Sequence, residues 1–171
     1  MNIIFTFLFK LNQTAINICP PASPPRAVAP NSDVAFVLDS SNSVNARSFE
    51  HQKEFVNKIA QKLQLAPTLT QAGVIKYGER ASIEINFDDN YRLASLVRSV
   101  SSLQHDSARE SRLDLALRLA KEKMLTNEHG ARANSDKVLL LLLFDTKLDK
   151  FMFLLIIFLE VHRMEQFLEK L

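Results

Sequence analysis

The chain has 171 residues, 47% hydrophobic and 23% charged, with a formal net charge of +2. That length allows one domain with an ordinary core, and the composition excludes wholesale disorder. So small a charge, with no basic run of five or more residues, excludes a nucleic-acid-binding surface of the usual kind. With only three glycines, neither of the two commonest nucleotide-binding glycine fingerprints is present.

Residues 1–30 read as a lead-in. The apolar patch Ile3–Phe9 barely reaches the roughly 7 residues a secretory signal needs, so a signal-like segment and a piece of a longer precursor both stay open. Asn12-Gln13-Thr14 is an N-glycosylation acceptor pattern. The stretch Cys19 to Pro30 holds five of the six prolines, which makes it an extended linker. Cys19 is the only cysteine, so neither an internal disulfide nor a Cys-type zinc site is available. His51, His105, His129 and His162 show no ligand spacing and read as surface residues.

The domain is expected over residues 31–147. Val34 to Leu38 is apolar throughout, like a strand buried on both faces, and ends at Asp39. Ser41 and Ser43 follow on the loop. One charged and two neutral oxygens on a tight turn suit a hard cation, and in open α/β sheets ligands gather beyond the carboxyl ends of strands. The competing reading is an Asx turn leading into a helix. Asn45 then suits an N-cap for a helix from Ala46 to Leu63. Its apolar face is Phe49, Val56, Ile59, Ala60 and Leu63, and Gln52 and Lys53 fall opposite.

Gln71 to Tyr77 reads as a second strand, Gly78-Glu79-Arg80 as a turn, and Ser82 to Phe87, which alternates, as an antiparallel or edge strand. Asp88-Asp89-Asn90 is expected to cap a helix over Tyr91 to Ser101. A further helix is expected from Ser111 to Leu125, with Asp114 in its first turn. Lys137 to Asp145 repeats the opening pattern of an apolar strand ending in a carboxylate. The nine apolar residues Phe151 to Leu159 fall far short of the roughly 20 that cross a bilayer. The strong helix formers of residues 162–171 favour a helical tail over 148–171, with a strand over 151–161 as the alternative.

The order strand, helix, strand hairpin, two helices, strand, with Asp39-Ser-Ser-Asn-Ser43 after the first strand, resembles the von Willebrand factor type A domain, the fold of the integrin inserted domain. Val34 to Ser43 fits the family's D-x-S-x-S metal-ion-dependent adhesion site. Gln71 to Tyr77 resembles its second strand, Leu115-Ala-Leu117 the helix after its next metal loop, and Leu139 to Asp145 its fourth strand. The resemblance implies a three-layer α/β/α domain with a Rossmann-like, mostly parallel sheet. Nothing after Thr146 resembles the family's later strands and helices, so the domain is read as incomplete at its C-terminal end, followed by an unrelated apolar tail.

The resemblance further implies that Asp39, Ser41 and Ser43 bind Mg²⁺ or Mn²⁺. Ser111 stands where the family usually has threonine, in a loop lacking the family's two glycines, and it also suits a helix N-cap. Asp145 stands where the family's last carboxylate acts through water, or it is a solvated strand end. The implied activity is binding a partner's carboxylate, with no enzymatic turnover. Matrix or cell-surface proteins, collagen among them, would be the partners in an extracellular setting. The alternatives are a non-binding remnant of such a domain and a Mg²⁺-dependent phosphoryl-transfer enzyme.

Overall fold

The computed structural model describes residues 31–142 in full and the backbone of residues 143–145 and 150–158. The expectations for residues 1–30, including Cys19, and for residues 159–171 lie outside the described residues.

Five strands form one sheet: β1 (Ser32–Asp39), β2 (Thr70–Tyr77), β3 (Ala81–Ile85), β4 (Asp136–Asp145) and β5 (Lys150–Phe158). Their order is β3-β2-β1-β4-β5. The centre is parallel, with β1 between β2 and β4, and each edge strand is antiparallel to its neighbour. Every residue of β1 and β2 is buried, which is why neither strand alternates in sequence as the edge strand β3 does.

Parallel neighbours need crossovers, and helices supply them on both faces. Helix α1 (Ala46–Ala60) begins behind Asn45, whose side chain accepts the Ser48 N–H at 2.8 Å. With α2 (Leu93–Ser101) it covers Val34, Phe36, Leu38, Val74 and Leu140. On the other face α3 (Leu113–Leu119) runs into a wider π-helical turn, Ala120–Met124. These elements cover Ala35, Val37, Ile75, Leu139 and Leu141. Gly73 lies under that turn, where a β-carbon would collide with the Met124 terminal methyl and the Ile85 carbonyl oxygen. The domain is thus the expected three-layer α/β/α sandwich, and each large apolar side chain it buries contributes about 1.5–3 kcal/mol.

The structure corrects four expectations. Helix α1 ends at Ala60, short of Leu63, although Leu63 still packs on the core. Gln52 and Lys53 are buried, at 0% and 5% exposure, because their polar ends reach backbone groups on neighbouring elements. Helix α2 starts behind Arg92 with no side-chain cap, since the Asp89 carboxylate instead accepts the Asn86 N–H at 2.7 Å. The tail over 150–158 is strand β5, not helix. It lies antiparallel on β4, with Val138 opposite Phe158 and Leu143 opposite Phe153. An extended segment can satisfy the N–H and C=O groups along the open edge of β4, which a helix could not do.

At the amino end of the sheet Asp33 is fully buried. It accepts the Arg132 backbone N–H at 2.7 Å, the Arg132 guanidinium at 2.7 and 2.9 Å, and the Lys137 ammonium at 2.9 Å. The Ser135 hydroxyl donates to it as well. Arg132 also donates to the carbonyls of Pro67 and Leu69, at 3.0 and 2.8 Å. One carboxylate therefore ties together the segments that lead into β1, β2 and β4. Burial alone would push its pKa up, but the hydrogen bonds from Ser135, Lys137 and Arg132 outweigh it and hold the pKa below the ordinary value.

Candidate metal centre

Asp39 closes β1 at the carboxyl edge of the sheet, where one connection leaves along α1 and the other strand neighbours approach from either side. Such a switch point is where open α/β sheets form clefts for ligands. Its backbone is pinned to α1 by Gln52, whose Oε1 accepts the Asp39 N–H at 3.0 Å and whose Nε2 donates to the Asp39 carbonyl at 2.9 Å.

The carboxylate reaches two loops. Oδ1 accepts the Ser41 N–H at 2.8 Å, and Oδ2 accepts the Ser111 hydroxyl at 2.8 Å. The Ser41 and Ser43 hydroxyls are hydrogen-bonded to each other, and Ser41 Oγ also accepts the Ser43 N–H at 3.3 Å. The Asx turn is therefore present, and it also brings the two hydroxyls beside the carboxylate. Ser111 lies ahead of α3, which starts only at Leu113 behind Arg112. Its hydroxyl serves Asp39 and does not cap the helix.

The second loop is bound to the first along its length. Asn42 N–H donates to Ala108 O at 2.6 Å, Ala108 N–H to Ser40 O at 3.3 Å, and Asp106 N–H to the Ser40 hydroxyl at 2.6 Å. The His105 ring lies between the loops, with Nε2 3.1 Å from Ser41 O and Nδ1 3.0 Å from the Ser107 hydroxyl. Two buried ammonium groups fix the approach to this loop. Lys53 donates to Ser101 O and Leu103 O at 3.1 and 3.0 Å. Lys76 donates to Gln104 O at 3.2 Å and to the Asp106 carboxylate at 2.8 Å. At the far end Arg112 N–H donates to Gly78 O at 3.0 Å. Where the family's glycines would stand, Ser107 takes a left-handed backbone with φ of +51°.

Asp145 lies on the same edge, one strand over. The register pairs Leu38 with Leu142, so the Asp145 backbone is about 7 Å further along β4 than the level of Asp39. Asp114 pairs with Arg112 at 2.8 Å, as first-turn helix decoration does.

The site brings together Asp39, Ser41, Ser43 and Ser111: one carboxylate and three hydroxyls. All four are hard oxygen donors, as Mg²⁺ and Mn²⁺ prefer, and an ionised carboxylate that accepts two hydrogen bonds keeps free lone pairs. Among the described residues no cluster of three or more His, Cys, Asp or Glu could hold a metal. Asp39 is 8% exposed, and Ser43 and Ser111 are exposed, so the oxygens open on a rim and not in an enclosed pocket. A separate cleft of about 510 Å³, lined by Lys76, Glu84, Asn90 and Gln104 among others, contains none of these four residues.

Sequence reading missed Gln52, Tyr77 and His105. Tyr77 is 2% exposed and faces Asp39 across the β1–β2 register. Burial, then the Asp39 charge, push its phenol well above the usual range, against an opposing hydrogen bond from Ser111. Its place at the end of an apolar strand beside the Asp39 strand is the only signal the sequence offers.

The chain matches the family model of the von Willebrand factor type A domain over residues 33–152, and it belongs to that family. It is 32% identical over 115 residues to von Willebrand factor A domain-containing protein 1 of Rattus norvegicus, a match covering 67% of this chain and 28% of that protein. It is 32% identical over 106 residues to Matrilin-1 of Mus musculus, covering 62% of this chain and 21% of that protein. The chain thus spans about a quarter of the length of these relatives. Among solved structures, proximal thread matrix protein 1 from the mussel byssus, with a zinc-occupied MIDAS motif, has the same fold. The TM-score is 0.65 at 11% identity, covering 82% of this chain and 35% of that one.

Proposed function

We propose that the rim at the end of β1 is a metal-ion-dependent adhesion site. Asp39, Ser41, Ser43 and Ser111 would hold Mg²⁺ or Mn²⁺, and Asp145 would act from the next strand through water. The observation that carries this reading is the 2.8 Å hydrogen bond from Ser111 to Asp39. It joins oxygens 72 residues apart in sequence into one open cluster. The zinc-occupied MIDAS of the mussel protein supports divalent occupancy on this fold.

Bound there, the ion supplies positive charge that three neutral hydroxyls and one carboxylate leave largely uncancelled, which attracts a carboxylate from another protein. Asp39 is held through both carboxylate oxygens, and the exposed Ser43 and Ser111 leave room for a partner. The function is protein binding without turnover, toward a matrix or cell-surface protein such as collagen, in an extracellular setting.

Titration calorimetry with Mg²⁺ and Mn²⁺ tests the site. The chain is expected to bind one ion and to gain about 2.7 kcal/mol of stability at a hundredfold excess over Kd. Asp39→Ala is expected to abolish both effects. Equal ion binding by the variant would sink the proposal, and no binding by the parent would identify a non-binding remnant.

A further inference from the structure

Tyr77 ends β2 level with Asp39 in the parallel ladder. Register partners in a parallel pair project to the same face, here the face covered by α3, which Ser111 precedes. The ring is 2% exposed and packs with Val37 and Ile75. The Tyr77 carbonyl accepts the Ser40 N–H at 2.7 Å, which fixes the strand end against the first loop. The phenol lies beside Asp39 in the register, and both the Asp39 carboxylate and the Ser111 hydroxyl bear on its ionisation. It therefore lies beside the side-chain contact between Ser111 and Asp39.

We propose that Tyr77 is a positioning residue of the rim. Its buried hydroxyl fixes the Asp39 carboxylate and the Ser111 hydroxyl in the arrangement that a divalent cation takes up. The idea rests on the metal-binding reading for its last clause only. The loop before Ser111 lacks the glycines that would shape it locally, so a rigid group rooted in β2 can orient Ser111 where the loop backbone does not. A phenylalanine in its place would fill the same volume and remove the support of the hydroxyl from both groups. Loss of such outer partners lowers metal affinity about 10–100-fold.

The chain carries two tyrosines and no tryptophan. Tyr91→Phe therefore leaves Tyr77 as the sole strong near-ultraviolet chromophore, a reporter placed under the site. The experiment uses the full chain with Tyr91→Phe as parent, and adds Tyr77→Phe, Ser111→Ala and the double variant. In EDTA, the melting-temperature losses of Tyr77→Phe and Ser111→Ala should be less than additive, because the two hydroxyls act on one pair. With Mg²⁺ or Mn²⁺, the Tyr77 absorption band should shift on saturation, and Tyr77→Phe should bind the ion about 10–100-fold more weakly with an unchanged far-ultraviolet spectrum.

Additive losses in EDTA overturn the proposal whatever the ion does. So does a Tyr77→Phe affinity within about twofold of a parent that binds the ion, well short of the outer-partner effect. A parent that binds no ion but shows the non-additive losses sinks the metal reading, and upholds the positioning of Asp39 and Ser111 by Tyr77.

Discussion

Ser107 holds φ of +51°, a left-handed backbone that costs an L-residue other than glycine, asparagine or aspartate about 1–2 kcal/mol. Glycine removes that cost but gives back part of it through a more disordered unfolded chain. Ser107→Gly is therefore expected to stabilise the domain by about 0.5–1 kcal/mol, read as a raised midpoint in urea at unchanged slope. A lowered midpoint would show that the Ser107 hydroxyl bond to His105 outweighs the strain. Asp39, Ser41 and Ser43 are legible in the sequence because their geometry is local: three residues on one turn. Ser111 is legible only as one of two alternatives, since its partner lies far away in sequence. Tyr77, Gln52 and His105 are illegible as site residues, because each acts through register or packing that no spacing encodes.

Helix α1 holds the Asp39 backbone through one side chain. Gln52, with 0% exposure, gives and takes a hydrogen bond with the Asp39 backbone, so the helix and the strand end are one unit. Gln52→Leu keeps the bulk but leaves a buried N–H and C=O without partners, and should cost about 2–4 kcal/mol. It should also weaken ion binding, as calorimetry would show, whereas an unaffected melting temperature would mean that water replaces the amide. Hydrophobic pattern locates all four strands up to Asp145, and α1, α2 and α3 within a few residues, because these segments bury continuous or one-sided apolar runs. The caps are less readable: Asp89 spends its carboxylate on its own turn and leaves α2 uncapped. Strand β5 is legible only as the second of two alternatives, because the helix formers beyond it point the wrong way, while its own fate depends on the open edge of β4.

Across the whole molecule the two ends of the sheet differ in chemistry. The Asp33 cluster at the amino end has its carboxyl held below the ordinary aspartate value of 3.8. Such a group stabilises the fold fully above the unfolded-state pKa, and the contribution is lost as pH falls through the lower folded-state value. Asp33→Asn should cost on the order of 3 kcal/mol at neutral pH, since Arg132 and Lys137 lose their counter-charge. Its melting temperature should also fall less steeply than the parent's below pH 3.8, and parallel acid limbs would refute this account.

The antiparallel run of β5 has one more consequence. It runs from Lys150, opposite Asp145, back to Phe158, which pairs with Val138 near the start of β4, just as Ser32 pairs with Asp136. Both ends of the described chain therefore leave from the pole where Asp33 sits, and the oxygen rim occupies the opposite pole. Anything tethered before Asn31 or after Phe158 would hold the domain by its base, like a bulb in its socket, with the oxygen rim turned outward.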